Sequence, residues 1–122
     1  MDLKQARVGV LVEQQYQEME VWYPVYRLRE AGCKVTLVGP EAGVTYPSKL
    51  GYPAKSDKAA RDVKADDFDI LVIPGGYAPD HMRRCEAMIR LVSTMAEQGK
   101  VVAAICHGPW QIAAIGLPCS AT

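Results

Sequence analysis

The chain predicts an α/β domain with a doubly wound parallel sheet in three α-β-α layers, on three observations. Short β-rich apolar runs alternate with longer helical stretches along the whole sequence. Those short runs are apolar throughout rather than at every second residue, as strands buried on both sheet faces require. Most of the segments end at Gly or Pro, so the alternation has clear punctuation. Strands separated by helices in this way lie parallel. At 122 residues, with no linker, repeat or low-complexity tract, the expectation is one domain over 1–122.

The run RVGVLV at 7–12 predicts the first strand. A helix is expected over 18–31, closed by Gly32, with Pro24 better suited to its opening than to its middle. KVTLV at 34–38 gives a second strand, ended by Gly39-Pro40. The Tyr-, Pro- and Gly-rich stretch 44–54 predicts short irregular strands, and 57–63 a helical turn. DILVI at 69–73 is a third strand stopped by Pro74-Gly75-Gly76, and Pro79 fits a first helical turn. The clearest helix is 86–98, where Met88, Leu91, Val92 and Met95 form one apolar stripe before Gly99. VVAAI at 101–105 is the last strand, with another helix expected just past Cys106.

Fourteen basic residues balance fourteen acidic ones, and no run of like charges occurs. That removes the electrostatic footprint of a nucleic-acid or anionic-membrane binder. With no targeting signal at the N-terminus and no apolar run long enough to span a bilayer, the expected compartment is the cytoplasm. The four cysteines form no CxxC pair, so a disulfide framework is not expected there.

All segments leaving the strands of a parallel sheet emerge at one edge, where ligands bind. Three of them, 13–20, 74–81 and 106–109, hold most of the residues capable of chemistry. Cys106 in AICHGP follows a buried strand and precedes Gly108, Pro109 and a predicted helix. This is the layout of a nucleophile elbow, in which the turn lifts the side chain and the helix N-terminus favours thiolate. The alternative is a buried cysteine that merely ends a strand. Gly75 and Gly76 lack side chains, so a substrate oxygen can approach their N–H groups, which with that of His107 make a candidate oxyanion hole. Tyr16 and Tyr77 are expected to line the pocket. His81 reads as a solvated helix residue, and Trp22 and Tyr26 as packing or an oligomer face. Cys33 and Cys85 read as structural and Cys119 as a tail thiol. No metal-ligand spacing, Walker motif or dinucleotide glycine motif is present, so no cofactor is expected.

Three segments, QEMEVWYPVYRLREAG (17–32), PGGYAPD (74–80) and AICHGP (104–109), resemble the signature segments of the ThiJ/PfpI family in order and spacing. The resemblance implies a flavodoxin-like fold related to glutamine-amidotransferase domains, and oligomers (dimer or hexamer) with the site at a subunit contact. It makes Glu20 the glutamate beneath the nucleophilic sulfur; a buried carboxyl that stays protonated would hydrogen-bond the thiolate. The other reading of Glu20 is a helix-end charge, a duty that Glu18 can also meet. His107 matches the histidine of PfpI-type members, and Asp80 the carboxylate reaching in from a neighbouring subunit, one methylene shorter than the usual glutamate.

The activity so implied is a cysteine-dependent hydrolase or lyase attacking a carbonyl carbon: peptidase-like, deglycase, or glyoxalase acting on small 2-oxoaldehydes, in a stress response. The partner is then a small carbonyl compound or a peptide. Competing with this are a non-catalytic redox sensor working through oxidation of Cys106 and an inactive family member. The resemblance fades after Gln111, predicting a C-terminally shortened domain with apolar surface exposed near its last strand.

Overall fold

Short apolar strands with helices between them do assemble into a parallel sheet. The structure, a computed structural model, describes residues 2–106, 108 and 109. Strands β1 (Arg7–Leu11), β2 (Lys34–Gly39), β5 (Lys58–Ala59), β6 (Ile70–Ile73) and β7 (Val101–Ala104) form one sheet in the order β5-β2-β1-β6-β7. Every pairing in it is parallel. Two short strands, β3 (Thr45–Pro47) and β4 (Pro53–Lys55), pair antiparallel as a separate hairpin.

From β1 the chain crosses to β2 through α1 (Glu18–Glu30), and from β6 to β7 through α3 (Glu86–Glu97). These crossovers run in opposite directions along the sheet. Since such connections are right-handed, the two helices fall on opposite faces. The chain therefore diverges at the ends of the neighbouring strands β1 and β6, which opens a crevice there. The core is continuous across the sheet, with Val8, Val10, Leu11, Leu71 and Ile73 fully enclosed.

α3 follows the predicted stripe: Met88, Leu91, Val92 and Met95 are its buried residues. Each contributes on the order of 1.5–3 kcal/mol through the apolar surface it removes from water. A five-residue helix, α2 (Ala78–Met82), begins where Pro79 predicts, with the proline in its first turn.

Four features depart from the sequence expectations. Pro24 lies inside α1, not at its opening. An interior proline removes a hydrogen bond and costs about 3 kcal/mol relative to alanine. The helix nonetheless continues past it, with Val21 and Val25 buried on either side. The 57–63 stretch is not simply a helical turn, because β5 precedes the 3-10 turn Ala60–Asp62. The Asp57 carboxylate holds that strand in place by accepting from the Leu37 N–H at 2.8 Å. Another 3-10 turn, Ala65–Asp67, carries no signal in the apolar pattern. β7 alternates exposed and half-buried residues instead of being covered on both faces, because among the described residues it is an edge of the sheet.

Candidate functional site

The loop after β1 is bound into the structure on three sides by Gln15, a residue in the left-handed region at φ 63°. Its N–H donates to the Pro47 carbonyl at 2.7 Å, and its own carbonyl accepts from the Tyr77 N–H at 2.9 Å. Its side-chain Oε1 lies 2.8 Å from His81 Nε2. The next residue, Tyr16, is fully enclosed rather than lining a pocket. Its hydroxyl donates to the Tyr52 carbonyl at 2.8 Å and accepts from Trp22 Nε1 at 3.0 Å. Burial raises its phenol pKa. Gln17 then caps α1, its side-chain oxygen accepting from the N–H groups of Met19 and Glu20.

That cap places Glu20 in the first turn of α1, at the crevice. Glu20 is half-buried rather than enclosed. Its Oε1 accepts from the Gly75 N–H at 2.9 Å, a bond spanning 55 residues of sequence. A Cβ on Gly75 would stand 2.5 Å from that oxygen and 2.8 Å from the Cβ of Cys106. Glu20 and Cys106 thus flank the same empty point, and only glycine leaves room for both. The expectation that the Gly75 N–H serves an oxyanion meets a competing demand, since Glu20 uses this donor. At Gly76 the N–H has no protein acceptor among the described residues. Gly76 itself must be glycine, with φ 77° and a hypothetical Cβ only 2.6 Å from the Gln15 carbonyl.

Cys106 also has positive φ, 56°, and is exposed. A side chain held in this region costs about 1–3 kcal/mol, a strain that clusters at functional turns. The turn is fixed from both ends. Ile105 N–H donates to the Ile73 carbonyl at 3.1 Å, and Gly108 N–H to the Ile105 carbonyl at 2.7 Å. A Cβ on Gly108 would come within 2.5 Å of the Ile73 carbonyl, so the chain passes close over the end of β6.

His107 and the helix expected beyond it lie outside the described residues, as does Cys119. Asp80 stands exposed on α2, and its carboxyl has no hydrogen-bond or ion-pair partner among the described residues. Tyr77 is exposed beneath Lys49, whose Nζ lies 5.5 Å from the ring centroid. Trp22 stacks on Tyr26 with centroids 5.6 Å apart and meets Tyr52 edge-on. Cys33 is buried and Cys85 half-buried, and among the described residues no three His, Cys, Asp or Glu side chains cluster to hold a metal. Sequence reasoning missed Gln15 and Gln17, because glutamine is neither a common left-handed residue nor a common cap. The contact of Lys49 with Tyr77 depends on the β3–β4 hairpin and carries no local signal.

A deglycase of Pyrococcus abyssi is 39% identical over 111 residues, covering 91% of this chain and 66% of that protein. YraA of Bacillus subtilis, named as a candidate cysteine protease, is 42% identical over 103 residues, covering 84% of this chain and 61% of that one. This chain thus spans about two thirds or less of either relative. Among solved structures, a two-domain Anabaena variabilis protein with DJ-1/ThiJ/PfpI-like and ferritin-like domains superposes with TM-score 0.88 at 38% identity. That match covers 90% of this chain and 32% of the two-domain protein. The profile of one family runs from residue 6 to residue 120, through every segment that builds the crevice, and the chain belongs to that family, DJ-1/PfpI.

Proposed function

We propose that this chain carries the cysteine site of a carbonyl-attacking enzyme of the deglycase type, acting on small 2-oxoaldehydes or on the adducts they leave on amino groups. The observation that carries the reading is the exposed Cys106 on a left-handed turn, sharing the space over Gly75 with Glu20. Its thiolate adds to the carbonyl carbon, and the carbonyl oxygen takes up negative charge and then a proton. The Gly76 N–H, with that of His107, stabilises this oxygen, and the His107 ring shuttles the proton. Glu20, with Oε1 held by the Gly75 N–H and sharing the space over Gly75 with Cys106, supports the thiolate by hydrogen bonding. Asp80, exposed on α2, completes the site in a neighbouring copy within a dimer or hexamer. The names of the relatives support both deglycase and peptidase-like chemistry, which share attack at a carbonyl.

Purified chain should consume methylglyoxal and release a glycated peptide's adduct, and Cys106→Ser should lower both rates roughly 100-fold or more. Equal rates in the two proteins would overturn the reading. The exposure of the thiol also favours a redox role. In that case peroxide adds two oxygens to Cys106, read by intact mass, while neither carbonyl substrate turns over.

A further inference from the structure

Pro24 lies four residues after Glu20, inside a helix that runs unbroken to Glu30. In a regular α-helix the N–H at this position donates to the Glu20 carbonyl. Proline has no N–H, and its ring crowds that same carbonyl, so this hydrogen bond cannot form. The two backbone groups of Glu20 are therefore treated in opposite ways. Its N–H meets both the Gln17 side chain and the Gln17 carbonyl, at 3.2 and 3.1 Å. Its C=O is denied the helix partner that other residues of the turn obtain. The helix keeps this penalty at the one position whose i−4 residue sends its carboxyl to Gly75, beside Cys106.

We infer that Pro24 is a positioning residue for Glu20: by keeping the Glu20 carbonyl out of the helix ladder it sets the tilt of the first turn, and so the line from Glu20 to Gly75 and Cys106. The inference rests on the reading of Cys106 and Glu20 as a working pair. Any ordinary residue at 24 restores the donor and draws the first turn back into regular helix. The carboxyl then moves off the Gly75 N–H, and the thiolate loses part of its support.

The test follows the rate of Cys106 alkylation against pH, with the modified peptide identified by mass spectrometry. Wild type is compared with Pro24→Ala, Pro24→Ser, Glu20→Gln and the Pro24→Ala/Glu20→Gln double variant. Both Pro24 variants should keep or raise the melting temperature, yet slow alkylation near neutral pH several-fold and move its midpoint upward. The double variant should match Glu20→Gln alone, because the proline acts only through that carboxyl. A merely structural proline would change melting and leave the pH profile in place, which overturns the inference. Additive effects in the double variant overturn it as well. If Glu20→Gln itself leaves the profile unchanged, the pairing of Glu20 with Cys106 fails, and the positioning role fails with it. A shift in Glu20→Gln without one in the Pro24 variants rejects the positioning role alone.

Discussion

The two long helices obey opposite rules. α3 buries four residues at i, i+3, i+4 and i+7, opens without a proline and stops before a glycine. α1 buries only Val21 and Val25, holds a proline in its interior and leaves Met19, Tyr23 and Tyr26 exposed. α3 contributes no residue to the crevice, whereas α1 contributes Glu20. Where every local preference agrees with the fold, the segment serves stability; where one is violated, a second demand acts on it.

Mutation can sharpen or break this contrast. The largest stability effect belongs to α3: Leu91→Ala or Met95→Ala should lower unfolding free energy by about 2–5 kcal/mol. Urea denaturation measures this, and the pH profile of Cys106 alkylation in the folded fraction should stay where it is. A profile that moves would show that α3 reaches the site after all. A smaller effect is expected at the start of α1, where Gln17→Ala removes the acceptor for two N–H groups. The loss is about 1 kcal/mol, and here the alkylation profile should move with stability, because the cap sets the turn that carries Glu20.

The smallest effect concerns Glu18. Its carboxyl is held below the usual carboxylate range, first by the Ser48 hydroxyl, then by its own N–H and that of Leu50. A depressed folded pKa adds stability above the unfolded value of about 4.3, and that stability is lost as pH falls through the lower folded value. Glu18→Gln should therefore flatten the acid limb of melting temperature against pH below about 5, leaving the neutral region nearly flat. An unchanged acid limb would mean that solvent screens the group fully.

What could be read from the sequence divides along the same line. Five of the segments read from apolar pattern and punctuation, at 7–12, 18–31, 34–38, 69–73 and 86–98, correspond to β1, α1, β2, β6 and α3 within a residue or two, and 101–105 to the edge strand β7. Periodicity reports burial, and burial is what those segments share. Cys106 stood out because a turn so close to a strand end needs glycine nearby, and Gly108 supplies it. By contrast, the enclosure of Tyr16 depends on Tyr52 and Trp22, residues from two other segments. β5 has two residues, too few to show any period, and is held by Asp57. Propensity puts Pro24 at the opening of its helix because it registers the cost of an interior proline and nothing of the tertiary packing that outweighs it.

The hydrogen bond from Gly75 to Glu20 also has a meaning in time. It joins α1 to the end of β6 across 55 residues, whereas β1, α1 and β2 follow one another directly. Contacts closing long loops form against a larger entropic barrier than local ones. During folding, α1 can therefore be helical and packed on β1 and β2 while Glu20 still lacks its donor. Until β6 docks beside β1, Cys106 lacks the Glu20–Gly75 contact beside it. On the proposed function, the thiol's reactivity arrives with the closing of the sheet's centre, which makes it a chemical clock for the final assembly of the fold.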